Sequence, residues 1–262
     1  MNYYIDTEFL EGPQKEKFPI SLFRKETKPT IDLISIGIVS EDGREYYAIS
    51  KDFNLEEAWN RFDLKLHSGD RRNIGDGTYK EYWIRENVLK LIWRELYSKS
   101  NDCTALSNKQ VEAFDESVEK GNYDKYFTFK SLKFLIEKYG KTNKEIAEEI
   151  QIFTTQYSNK ADEIWDKPKF YAYYADYDWV AFCWLFGKMM DLPNGFPMYC
   201  RDLKQMLDEK IEKINYSRLD KTSPLVTTES MKNNNPFYPK QENEHSAICD
   251  ARWNKKLHEF LK

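Results

Sequence analysis

Apolar and polar positions along the chain fall into runs of distinct period. Asn2-Tyr3-Tyr4-Ile5-Asp6-Thr7-Glu8-Phe9 opens with residues that favour an extended strand and continues it with Asp6, Thr7 and Glu8. After a polar, Pro-containing stretch from Glu11 to Thr30, Ile31 to Ser40 reads IDLISIGIVS, a β-branched run suited to a buried strand. Asp42-Gly43 then predicts a hairpin turn into a third strand, Glu45 to Ile49. Helix-forming composition covers Asn54 to Phe62 and Arg85 to Leu96. A capping box at Ser107-Asn108-Lys109-Gln110 predicts a helix through Val111, Phe114 and Val118. Amphipathic patterns follow at Phe129 to Tyr139 and Asn143 to Tyr157, the second with Ile146, Ile150, Phe153 and Tyr157 on one face.

The second half alternates strand and helix. Lys169 to Tyr174 predicts a fourth strand and Trp179 to Met190 an apolar helix, closed by Pro193-Asn194-Gly195. Phe196 to Cys200 is expected as a short fifth strand and Asp202 to Lys213 as a helix. Asn215 to Glu242 reads as a long surface loop, and a closing helix runs from His245 through Ala247, Ile248, Trp253 and Leu257. His67 to Tyr79, polar, with three glycines, Arg71 and Arg72, reads as a mobile loop. The order is three strands, helices, then β, α, β, α, which predicts an α/β sheet with helices packed against it in one domain.

Composition agrees with a packed core, since 40% of the residues are hydrophobic, including seven Trp, sixteen Phe and eighteen Tyr. The net charge of −4 argues against a basic coat for non-specific nucleic-acid binding. Cys103, Cys183, Cys200 and Cys249 are too widely spaced for a zinc site and read as free thiols. The run from Val180 to Phe186 is too short to span a bilayer, and residues of catalytic type begin at position 6, so a cytoplasmic protein with no membrane partner is expected.

The candidate chemistry is acidic. Alternation along a strand puts Asp6 and Glu8 on one face about 7 Å apart. Two adjacent carboxylates repel unless a cation lies between them, and hard divalent ions suit carboxylate oxygens. Taken alone, the pair also fits a solvated strand end. Asp178 follows the fourth strand, with Asp176 two residues earlier, and Asp250 lies in the closing helix five residues after His245. Of three histidines, His67 and His258 read as solvated, whereas His245 at a helix mouth suits proton transfer beside a bound water.

These residues, in this order, resemble the 3′-5′ exonucleases of the four-carboxylate superfamily, in the branch with a histidine in its last motif. The blocks Ile5-Asp6-Thr7-Glu8-Phe9, Ile34 to Val39, Trp83 to Leu89, Tyr173 to Asp178, Arg201 to Gln205 and Asp250 to Asn254 narrow the resemblance further. They are similar to the RNase AS-like exoribonucleases, described as polyadenylate-specific. The resemblance implies an RNase H-like mixed five-stranded sheet flanked by helices, in a single domain over 1–262 with inserted loops near 66–80, 98–121 and 217–243. It implies two Mg²⁺ or Mn²⁺ ions, about 4 Å apart, held by Asp6, Glu8, Asp178 and Asp250. Aligned on this pattern, Asp178 rather than Asp176 is the ligand, although Tyr173 and Tyr174 stand where the wider superfamily commonly has Asn.

On that reading His245 is the general base, Glu8 works between metal and the terminal ribose, Thr7 offers its amide to the ribose, and Phe9 either stacks on the last base or points into the core. The substrate is single-stranded RNA, cut to 5′-mononucleotides, and the assembly is a homodimer. Arg201 and Arg252 are candidate phosphate partners, though a solvated or ion-paired role suits each of them better. A DNA exonuclease on the same scaffold and a catalytically silent nucleic-acid-binding module are the alternatives.

Overall fold

The structure, a computed structural model, describes residues 1–16, 19–23, 25–66, 78–99, 126–155, 167–218, 222 and 224–262. The sequence-predicted loop at His67 to Tyr79 lies largely outside these residues, and so do the helix expected from Ser107, Cys103 and Tyr157. The chain divides into two compact units, one of Met1–Phe9, Leu33–Ser50 and Lys141–Lys262, the other of Leu10–Asp32 and Lys51–Gly140.

The first unit is organised on a five-stranded sheet. Its strands are β1 (Asn2–Gly12), β2 (Thr30–Ser40), β3 (Glu45–Ile49), β6 (Lys169–Ala172) and β7 (Arg201–Asp202), in the order β3-β2-β1-β6-β7. β2 and β3 are antiparallel, while β1, β6 and β7 run parallel. This is the expected α/β arrangement, a mixed sheet flanked by helices and compatible with an RNase H-like fold. β1 is central, so Tyr3, Tyr4 and Ile5 are buried on both faces. Its pairing with β6 matches Tyr3 to Phe170 and Tyr4 to Tyr171. Asp6, Thr7 and Glu8 therefore run on past the carboxyl end of β6. Ligand sites of open α/β sheets form at such strand ends, where the strand order reverses.

Helices cover this sheet. They are α4 (Asn143–Thr155), α5 (Ala175–Leu185), α6 (Leu203–Ser217), α7 (Thr228–Asn234) and α8 (Ala247–Leu261). Tyr4, Tyr171, Leu203, Leu207, Ile211, Trp253 and Leu257 form one core cluster. Val39, Ile248 and Ala251 form another where α8 crosses β2. The crossing is close enough that a Cβ on Gly37 would lie 2.3 Å from the Ala247 carbonyl oxygen and 2.5 Å from the Ile248 Cα.

The second unit is described by itself. It holds α1 (Leu55–Asn60), a small antiparallel pair of β4 (Asp63–Leu66) and β5 (Thr78–Glu81), α2 (Lys90–Lys99) and α3 (Phe129–Tyr139). Asn54 caps α1 by accepting from the Glu57 amide, and Thr128 and Ser131 form a capping box on α3. Rings close its core, with Phe127 4.9 Å from Trp59 and 5.6 Å from Trp93. The β4–β5 pair is almost wholly exposed and carries no buried period, so the pattern of apolar positions does not predict it.

Several expected boundaries move. The fifth strand is Arg201–Asp202 rather than Phe196 to Cys200, because Pro197 has no amide to give a ladder. The helix expected at Trp179 to Met190 begins four residues earlier and stops at Leu185, where Gly187 turns left-handed (φ +114°). Within the predicted surface loop Asn215 to Glu242, α7 forms, and Met231 and Tyr238 enter the core. His258 is buried rather than solvated, with Nδ1 2.8 Å from the Tyr4 hydroxyl and its ring 4.2 Å from that of Tyr171. Among the described residues, no helix is long and apolar enough to cross a membrane.

Gly37→Ala is expected to destabilise the protein by about 1–3 kcal/mol, since the added methyl meets main chain that cannot swing aside. A thermal melt checks this, and an unchanged midpoint would mean that α8 lies less tightly on β2.

Candidate active site

The carboxyl end of β1, the β6–α5 turn and the start of α8 enclose a cavity of about 350 Å³ in the first unit. Asp6, Thr7, Glu8, Phe9, Tyr173, Tyr174, Tyr177, Asp178, Gln241, His245, Asp250, Trp253 and Asn254 line it. Asp6, Thr7, Glu8, Phe9, Asp178, His245 and Asp250 are therefore at one place. Asp6, Glu8 and Asp250 come closest, each offering an oxygen within 4.8 Å of the others. No Lys or Arg lines the cavity among the described residues.

Asp178 sits in the first turn of α5 and is buried. Its Oδ1 accepts from the Thr7 amide at 2.8 Å and from the Thr7 hydroxyl at 2.6 Å. The amide that the sequence offers to a ribose is thus engaged by Asp178, and Thr7 fixes that carboxylate against β1. Asp176, the other acid of this turn, does not line the cavity. The α5 entry is held from outside the helix: Tyr174 is left-handed (φ +57°) and makes no side-chain cap, while Asp202 Oδ2 accepts from the Ala175 amide at 3.0 Å. Oδ1 of the same Asp202 caps α6 through the Lys204 and Gln205 amides, at 2.6 and 3.2 Å. One carboxylate thereby anchors the starts of two helices.

Asp250 lies in the first turn of α8, where an acid also meets the positive end of the helix dipole. Its Oδ2 accepts from the His245 amide at 2.8 Å and its Oδ1 from Gln241 Nε2 at 2.6 Å. His245 is left-handed (φ +70°), which turns its amide towards Asp250 while the residue still lines the cavity. Asn254, one turn further along α8, donates to the Ile5 carbonyl at 2.9 Å and ties the helix to β1. Arg252 pairs with Glu45 through two contacts of 2.8 and 2.6 Å, and Arg201 donates to the Tyr171 hydroxyl at 3.0 Å. Neither arginine lines the cavity.

Crowding and burial set the electrostatics. Burial pushes Asp6 well above the usual carboxylate range, and Asp178, Glu8 and Asp250 add to the rise. Glu8 is pushed up to about 8 by burial, then by Asp250 and Asp178. Burial raises Asp178 to about 7, against the opposing pull of its two Thr7 hydrogen bonds. Asp250 is raised by burial too, while Gln241 and the His245 amide hold it down.

An aromatic wall completes the cavity. Phe9 and Tyr177 stack with centroids 5.6 Å apart and planes 14° from parallel. Half of Tyr177 and most of Tyr174 remain exposed. The sequence reading gave no role to six of the lining residues, Tyr173, Tyr174, Tyr177, Gln241, Trp253 and Asn254. Tyr177 lies within a quoted motif, next to Asp178, and could have been found there; Gln241 sits in an irregular polar stretch with no pattern to mark it.

The raised carboxyls bind more protons in the folded than in the unfolded chain, so rising pH costs stability across their range. His258, lowered to about 4 chiefly by burial, titrates between that value and the ordinary imidazole value near 6.5. Above pH 6.5 the raised acids therefore oppose folding without an offset from His258, and the midpoint of thermal unfolding in chelator is expected to fall between pH 6.5 and 8. Glu8→Gln should flatten that slope. A wild-type midpoint that rises across the interval would contradict the assignment.

No family model matches the chain. Two curated proteins of Mycobacterium tuberculosis, from strains CDC 1551 / Oshkosh and ATCC 25618 / H37Rv, are each 26% identical to it over 217 residues. The alignment covers 80% of this chain and 76% of either relative, and both relatives are named 3′-5′ exoribonucleases.

Proposed function

We propose that this chain is a divalent-metal-dependent 3′-5′ exoribonuclease that hydrolyses single-stranded RNA from its 3′ end to 5′-mononucleotides. The observation that carries this reading is the meeting of Asp6, Glu8 and Asp250 within 4.8 Å, in a cavity that also holds Asp178 and His245. The names of the two relatives support the same activity. The residues fit a metal centre by their chemistry. Carboxylate oxygens suit Mg²⁺ and Mn²⁺, and a crowded, buried acid cluster with no lining Lys or Arg among the described residues needs positive charge from elsewhere.

Asp6, Glu8, Asp178 and Asp250 would hold two such ions, which supply Lewis-acid activation of water and stabilise charge on the phosphate oxygens. The chain's own residues divide the remaining work. Thr7 leaves Asp178 one oxygen for coordination by engaging only Oδ1. His245, neutral, takes the proton of the attacking water through its ring, so turnover requires the imidazole unprotonated. Glu8 also meets the terminal ribose. The Phe9–Tyr177 stack offers a face to the last base, a contact worth about 1–3 kcal/mol where it forms. A preference for adenylate tails and a homodimeric assembly belong to the proposal through the resemblance; homopolymer RNAs and light scattering test them.

Asp6→Ala should lower Mn²⁺-supported hydrolysis of 5′-labelled RNA by more than about 100-fold, because it removes a direct ligand. Undiminished hydrolysis would sink the proposal, and faster cleavage of the matching single-stranded DNA would move the activity to DNA. His245→Ala should retain Mn²⁺ binding and lose on the order of 10²–10⁴-fold in turnover. Equal rates for the two proteins would remove His245 from the mechanism.

A further inference from the structure

Asp250 enters the cavity on the first turn of α8, but what fixes its rotamer lies outside the helix. Its Oδ1 is met by Gln241 Nε2 at 2.6 Å, across nine residues of chain. The segment bearing Gln241 is anchored without it. Tyr238 is buried in the core cluster, and Trp253 Nε1 donates to the Pro239 carbonyl at 3.0 Å. Further back, the Asn215 side chain clasps Val226, donating to its carbonyl at 2.8 Å and accepting from its amide at 2.9 Å. Gln241 is therefore not needed to hold its own loop, and its amide is presented to a carboxylate.

We infer that Gln241 is a positioning residue for Asp250, a role that rests on the metal-centre reading above. The chemistry favours an amide here. Each carboxylate oxygen has two lone pairs, so Asp250 Oδ1 can accept from Gln241 and keep coordinating capacity. A neutral donor fixes the carboxylate without bringing a cation that would compete for the acid cluster. With the His245 amide on Oδ2, both Asp250 oxygens are oriented by protein donors before any ion arrives. Outer hydrogen-bond partners of metal ligands act in this way, and their loss typically weakens metal binding by about 10–100-fold.

The test is calorimetric titration of Mn²⁺, without RNA, into the full chain and the variants Gln241→Met, Asn215→Ala and Asp6→Ala. Gln241→Met keeps the length of the side chain and removes the donor. It should raise the Mn²⁺ dissociation constant about 10–100-fold with little change in the unfolding temperature. Asn215→Ala loosens the same segment at its far end; it should lower the unfolding temperature and leave the dissociation constant unchanged. Wild-type affinity in Gln241→Met would overturn the inference, as would equal weakening by Asn215→Ala, which would assign the effect to loop anchoring. Wild-type protein that takes up no more Mn²⁺ than Asp6→Ala would instead overturn the metal reading, and the role of Gln241 with it.

Discussion

Mutual repulsion among Asp6, Glu8 and Asp250 is the constraint around which the first unit is built. Three carboxyl groups within 4.8 Å, partly or fully out of water, oppose folding unless they are protonated or share a cation. The chain accepts that cost at the carboxyl end of its central strand, where buried neighbours on both faces leave β1 little freedom to relieve it. Tyr3, Tyr4 and Ile5 lock the strand, and the parallel register with β6 sets how far Asp6 and Glu8 project. The acids cannot drift apart because the strand cannot.

Neutral donors then hold the helix-borne acids in place. Thr7 gives two hydrogen bonds to Asp178, and Gln241 and the His245 amide give one each to Asp250. Asp202 secures the α5 entry through the Ala175 amide. None of these contacts brings a positive side chain into the cavity, so each orients a carboxylate without discharging the cluster. The cluster therefore keeps its crowded negative charge, and the proposed metal centre rests on geometry and electrostatics together.

The sequence makes the acids legible and their supports obscure. Asp6 and Glu8 are two apart on a strand, and Asp250 lies five residues after His245 in the first turn of a helix, so a local reading finds them. The sheet is legible for the same reason, since IDLISIGIVS and the Asp42-Gly43 turn are local signals. Gln241, Asp202 and Asn215 act through contacts that span 9, 27 and 11 residues, and no local pattern encodes those distances. His258 shows the opposite error. A charged helix end suggests a solvated imidazole, yet Tyr4 and Tyr171, each more than 80 residues away in the chain, close over it.

The two helix-borne acids share a device that the sequence does not advertise. Tyr174 precedes Asp178 by four residues and His245 precedes Asp250 by five, and both enter their helices in left-handed conformations. For residues with a Cβ this costs roughly 1–2 kcal/mol each, and neither is the Gly or Asn that would reduce it. Strain of this kind persists only where surrounding contacts over-determine the backbone. Here Asp202 fixes the Ala175 amide on one side and Asp250 fixes the His245 amide on the other. At both helix entries the side chain in the strained position lines the cavity, and Gly would leave no ring there. The backbone cost is borne where an aromatic wall and an imidazole are wanted beside the acids.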